Sequence, residues 1–120
     1  MTKQPCVYVL ASQRNGTLYI GVTSDLIKRV YQHRMDLADG FTKRYQVHLL
    51  VWYEIHEIME SAIKREKQLK TWSRSAKIRL IEQNNQDWRD LWDELATSHH
   101  AADSFNDLMA NASQMKYLEN

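Results

Sequence analysis

A chain of 120 residues, 43% hydrophobic and 26% charged, has the material for one modest core and not for two. No apolar run approaches the roughly 20 residues of a membrane helix, and MTKQPCVYVLAS lacks the apolar run and small-residue site of a secretory leader, so a cytoplasmic protein without membrane association is expected. The net charge of +1 hides a division: up to Arg79 fourteen Lys and Arg face seven Asp and Glu, and beyond it two face eight, which suggests a basic surface for a polyanion followed by an acidic C-terminal part.

VYVLA at 7–11 and LYIGV at 18–22 are short runs rich in β-branched and aromatic residues. SQRNGT separates them with its Asn15-Gly16 turn signal, which predicts a β-hairpin. Two registers are open. A two-residue Asn15-Gly16 loop sets Tyr19 opposite Ser12 and leaves Tyr8 and Tyr19 about 13 Å apart; a four-residue loop from Gln13 to Gly16 sets Tyr19 opposite Leu10 and makes the tyrosines diagonal neighbours roughly 7 Å apart. Both place them on one face. Cys6, the lone cysteine, has neither a disulfide nor a CxxC partner and reads as a buried thiol.

Thr23 or Ser24 caps the next helix, which Asp25 suits and Asp39-Gly40 ends near Ala38. Leu26, Val30 and Leu37 are its apolar stripe; Arg29 and His33, four apart, project together from a neighbouring face. After a loop with Lys43 and Arg44, VHLLVWYEI at 47–55 is apolar almost throughout, which predicts a third strand, central and buried on both sides. A helix from about Glu57 to Trp72 follows, with the inward stripe Met59, Ala62, Ile63, Glu66, Leu69. A carboxylate on that stripe is costly unless it is paired, solvated by a cleft or bound to a metal. Lys64, Arg65, Lys67 and Lys70 surround it, so a structural ion pair is the plainer reading. Ser73 or Ser75 caps a further helix with Ile78, Leu80 and Ile81 inward and Asn84-Asn85 at its end. Trp88, Leu91, Trp92 and Leu95, at i, i+3, i+4 and i+7, predict a last amphipathic helix. Residues 1–95 thus read as one domain, and 96–120 as a polar tail that is either a loosely docked helix or a mobile extension.

Periodicity directs two tyrosines, Arg29, His33 and Glu66 to one place, and these are the parts of a phosphodiester site. Hydrolysis there needs charge stabilisation at the phosphoryl oxygens, a group to deprotonate a water and usually a hard cation. Arg29 suits the phosphate, and Glu66 suits Mg²⁺, which needs few protein ligands because it keeps most of its water shell. Singly, each has a plainer reading: rim aromatics for Tyr8 and Tyr19, a solvated helix face for Arg29 and His33. His48, His56, His99 and His100 show no metal-ligand spacing, and Trp52, Trp72, Trp88 and Trp92 read as core. Only the joint pattern reverses the odds.

That pattern resembles the GIY-YIG nuclease superfamily, whose members include homing endonucleases, excision-repair nucleases and some restriction enzymes. VYVL at 7–10 and LYIG at 18–21 match its paired motifs, with Cys6-Val7-Tyr8 standing where the family has Gly-Ile-Tyr. The likeness continues through Arg29, His33, GFTKRYQVHLLVWYE, AIKREKQLKTW around Glu66, and KIRLIEQNNQDWRDL, and is similar to small single-domain bacterial URI-type endonuclease-like proteins over residues 6 to about 95. The resemblance implies an α/β fold with a three-stranded antiparallel sheet flanked by helices, and a stand-alone endonuclease with a role such as DNA repair. It implies one Mg²⁺ or Mn²⁺ on Glu66, Tyr8 or Tyr19 activating the nucleophile, and Arg29 on the scissile phosphate. His33 would hydrogen-bond that phosphate or relay a proton, a role its near-neutral intrinsic pKa suits, while Arg29 and the metal would favour a tyrosine phenolate. Gly21 would allow close backbone packing and Asn85 matches a late polar position. Lys43, Arg44, Lys64, Lys67, Lys70, Arg74 and Lys77 would contact phosphates of single-stranded, branched or damaged DNA, with RNA as an alternative, so specificity for structure or ends is expected over sequence readout. A nucleic-acid-binding module that keeps the fold without efficient cleavage is the competing reading.

Overall fold

The computed structural model describes residues 4–37 and 40–97. β1 (Cys6–Ala11) and β2 (Leu18–Thr23) pair antiparallel, with Tyr8 opposite Gly21 and Leu10 opposite Tyr19. This is the register of the four-residue loop. The Gly16 N–H donates to Gln13 O at 2.9 Å, and Asn15 takes a φ of 59°. Ser12 fixes the frame twice: its N–H donates to Thr17 O at 3.0 Å and its Oγ accepts from Thr17 N at 2.9 Å.

β3 (Leu49–Ile55) pairs antiparallel with the other side of β1, giving the order β2-β1-β3. The central strand is therefore β1, every residue of which is buried, and not the third strand that the apolar run suggested. β3 is covered over Leu50, Val51 and Trp52, and its outer edge is capped at Leu50 and Val51, whereas its end at Ile55 is exposed. A bulge sets Leu50 opposite Leu10 but Trp52 opposite Val9, so Val51 and Trp52 join one cluster while Leu50 joins the other. Along the edge, Leu50 N–H donates to Asp90 Oδ1 at 3.2 Å, Leu91 N–H donates to Leu50 O at 2.8 Å, and the Asn85 amide donates to Val51 O at 3.0 Å. Partners of this kind keep an edge strand from pairing with another chain.

Among the described residues five helices complete the α/β fold: α1 (Leu26–Arg34), α2 (Phe41–Arg44), α3 (Met59–Thr71), α4 (Arg74–Asn84) and α5 (Trp92–Thr97). α1 and α5 pack together over the face of β1 that carries Cys6, Tyr8 and Leu10; α3 and α4 supply Ala62, Leu69 and Ile81 to the face of Val7, Val9 and Ala11. Cys6 is buried in strand geometry, and burial pushes its thiol pKa up to about 11. α1 is capped by Asp25, whose side chain accepts from Lys28 N, and it stops at Met35, before Asp36 takes a φ of 55°. The helix expected to end near Ala38 thus ends earlier, at Arg34. Ser73 caps α4 by accepting from Ala76 N at 3.2 Å.

Three expectations change. Ile63 is 37% exposed, because the face of α3 that meets the sheet is narrower than its apolar stripe. Lys43 and Arg44 sit on or at the end of a helical turn rather than in a loop. Trp88 is not helical: at a φ of 57° it lies in a turn and joins the α3/α4 cluster, whereas Trp92 joins the α1 cluster, the chain having crossed the edge of β3 between them. No helix among the described residues is long and apolar enough to cross a membrane. Residues 98–120, with His99 and His100, lie outside the description.

Candidate active site

The hairpin register brings the Tyr8 and Tyr19 rings to a centroid separation of 6.2 Å, and α1 lays His33 against both, at 5.9 and 5.4 Å. Tyr8 can occupy this place because Gly21 stands opposite it: a Cβ on Gly21 would lie 2.4 Å from the phenol carbon and oxygen. His33 is fully buried rather than on a solvated helix face. Its Nε2 meets Tyr8 Oη at 3.1 Å and its Nδ1 meets Thr42 Oγ1 at 2.8 Å, so a three-member polar line runs from the strand through α1 to α2. Thr42 is a site residue that sequence reasoning missed. Nothing in its periodicity marks it; only its place in GFTKRY, between Gly40 and the cations, offered a signal.

Burial decides the protonation states. It pushes the Tyr8 phenol well above its ordinary value, and although Arg29 pulls the other way, Tyr8 stays a neutral phenol. Arg29 thus favours the Tyr8 phenolate in the expected direction, but burial outweighs it. Burial also lowers His33, with Arg29 and His48 adding repulsion, to about 4, so the imidazole is neutral at physiological pH and its near-neutral intrinsic pKa is not retained. A neutral imidazole donates through one nitrogen and accepts through the other. In the tautomer with Nδ1–H donating to Thr42, Nε2 accepts from the Tyr8 hydroxyl; in the other, Nε2–H donates to Tyr8 Oη and Nδ1 accepts from Thr42. Arg29 is half-buried and its guanidinium donates to Gln32 Oε1 at 3.3 Å; burial works to lower its pKa, and its interactions with Tyr8 and Tyr19 outweigh that and raise it.

Beside this line, Leu18, Tyr19, Ile20, Phe41, Lys70 and Lys77 enclose an open cleft of about 300 Å³ along the edge strand β2. Glu66 belongs to α3 on the opposite side of the sheet, and Lys70 links it to the cleft: the ammonium lies 3.4 Å from Glu66 Oε1. The Glu66 side chain is 15% exposed, half-buried as the inward stripe predicts.

A model of the GIY-YIG catalytic domain matches residues 4–79. The chain belongs to the GIY-YIG family. A UPF0213 protein of Staphylococcus aureus strain Mu3 is 38% identical over 78 residues, spanning 64% of this chain and 93% of the relative, and one from strain USA300 matches equally. The solution NMR structure of a UPF0213 protein from Bacillus halodurans is 23% identical, with a TM-score of 0.47, covering 79% of this chain and 97% of that one. GIY-YIG domains are nuclease domains that generally use a divalent metal and act on nucleic acid.

The residues fit such an ion in one way. Among the described residues no three His, Cys, Asp or Glu side chains gather as a metal site. A transition-metal cage is therefore not built here, whereas a single half-buried carboxylate, paired only loosely with Lys70, matches an ion that keeps most of its waters. His48 and His56 have structural partners: His48 pairs with Asp36 at 2.8 Å, and His56 bridges Glu54 and Ser61 at 2.7 and 2.9 Å.

The basic residues divide. Lys43, Arg44, Lys67 and Lys70 are exposed and Lys77 lines the cleft. Lys64 faces Glu60 at 3.8 Å on an open surface. Arg74 is committed to the fold, donating to the carbonyls of Asn15 and Gly16 at 2.6 and 2.7 Å and so holding the hairpin turn against α4. Asn85 is likewise a fold residue: it is buried, its amide donates to Val51 O and Arg89 O, its Oδ1 accepts from Arg89 N, and none of these partners is a site residue.

Proposed function

We propose that this GIY-YIG domain is a divalent-metal-dependent endonuclease that hydrolyses DNA phosphodiester bonds, directed by structure or strand ends. The observation that carries the reading is the buried line Tyr8–His33–Thr42 beneath a basic cleft walled by Tyr19. A fold gains little from burying an imidazole and two hydroxyls where apolar side chains would pack.

Each residue then has a role. Arg29 binds the scissile phosphate by charge-assisted hydrogen bonds. Tyr19, the partly exposed tyrosine, meets the attacking water. Tyr8 lies beneath it, hydrogen-bonded to the neutral His33, which Thr42 holds in place from the other ring nitrogen. Gly21 keeps space for Tyr8. Glu66 would hold one Mg²⁺ or Mn²⁺, which when bound supplies positive charge at the phosphoryl oxygens and lowers the pKa of its waters. The raised pKa of Tyr8 favours the competing reading, a binding module without efficient cleavage, and one experiment separates the two.

Labelled single-stranded, duplex and branched DNA are incubated with wild type and Glu66→Ala, with Mg²⁺, Mn²⁺ or EDTA. Metal-dependent cutting by wild type that Glu66→Ala loses while still binding DNA is the expected result. Binding with no cutting of any substrate establishes the binding module.

A further inference from the structure

α2 exposes two aromatic rings that the fold does not bury. Phe41 is 44% and Tyr45 45% exposed, while Thr42 between them is buried against His33. Spaced at i and i+4, Phe41 and Tyr45 bring their rings to 4.7 Å between centroids. Phe41 lies 6.1 Å from Tyr19, which is 5.4 Å from His33, so rings run in unbroken series from the buried site to the surface. The Arg44 guanidinium covers the Tyr45 ring at 5.5 Å, and Phe41 shares the cleft with Lys70 and Lys77.

We propose that Phe41 and Tyr45, flanked by Arg44, are a stacking platform for an unpaired nucleobase of DNA, and that the preferred substrate is an unpaired strand or junction rather than continuous duplex. The proposal rests on the reading of the cleft as a DNA phosphodiester site and adds what the substrate presents there. Every base has a π-face, so aromatic platforms take unpaired bases with little regard to sequence. A base inside a duplex has both faces covered by its neighbours and cannot use one. Lys43 and Arg44 on the same helical turn supply the charge that a phosphate backbone requires. The bond from Thr42 to His33 holds the platform at a fixed distance from Tyr8, so a base stacked on Phe41 sets which phosphodiester reaches Arg29.

The test reads binding without metal. In EDTA, fluorescence anisotropy compares wild type, Phe41→Ala/Tyr45→Ala and Phe41→Trp on a single-stranded oligonucleotide and on its blunt duplex, and 2-aminopurine in the single strand reports stacking. The double alanine variant is expected to bind the single strand at least about tenfold more weakly, with little change on duplex, and to lose the 2-aminopurine quenching that wild type and Phe41→Trp show. Equal single-strand affinity of wild type and the double variant, or absence of quenching at saturation by wild type, overturns the platform. So does a large fall in melting temperature of the double variant with binding unchanged, which would place the rings under another part of the chain. A wild type that quenches the base yet cuts no DNA with Mg²⁺ supports the platform and ends the hydrolysis reading; equal cutting of single strand and blunt duplex by wild type and double variant ends the platform alone.

Discussion

The two faces of β1 do different work. Val7, Val9 and Ala11 meet Ala62, Leu69 and Ile81, a packing with no buried charge or hydroxyl among those side chains; Cys6, Tyr8 and Leu10 meet Val30 and Leu50 but also His33, which continues to Thr42. The same strand, alternating at period two, thus feeds an apolar face that holds the fold and a mixed face where hydrogen bonds replace part of the packing. The polar line is confined to one face of the strand, beside apolar partners such as Leu26, Val30 and Leu50, while the buried cluster on the other face is apolar.

Breaking the apolar side is expected to have the largest effect. Leu69→Ala removes a fully buried side chain and should cost about 2–5 kcal/mol, lowering the melting temperature by roughly 10 °C or more, with single-turnover cleavage unchanged at temperatures where the variant is folded. A matching loss of rate in the folded variant would dissolve the distinction between the faces.

Acid should strain the mixed side next. In the unfolded chain His33 takes up a proton below its ordinary value of 6.5, but in the fold only near 4, so the unfolded state binds more protons between those values. Stability contributed by keeping His33 neutral is intact above pH 6.5 and falls as pH drops toward 4, by ~3 kcal/mol for this group. Denaturant titrations of wild type and His33→Gln from pH 7 to 4 check this: the wild type should lose more stability, and parallel curves would show that His33 is not held neutral.

Much of this was legible in the sequence, and the exceptions have physical causes. The hairpin, Glu66 on its stripe and the placing of both tyrosines on one face follow from strand and helix periods. The hairpin register was open because Asn15-Gly16 suits a two-residue turn as well; the Ser12 side chain bonding to Thr17 decides it. The apolar run of β3 reads as a central strand because hydropathy reports covered faces and says nothing of edges, here sealed by Asp90 and Leu91. Trp88 and Trp92 have helical spacing but belong to opposite faces, since a turn can repeat a spacing without a helix. The burial of His33 against Thr42 was not legible, because Thr42, nine residues on, lies in a segment with no period.

The most direct measurement is single-turnover cleavage of saturated DNA by Tyr8→Phe, which removes only the hydroxyl that begins the polar line. Its fold and its DNA affinity in EDTA should match wild type, while its cleavage rate should fall on the order of 100-fold or more. A Tyr8→Phe protein that cuts at the wild-type rate would mean that the line Tyr8–His33–Thr42 serves the fold and not the chemistry.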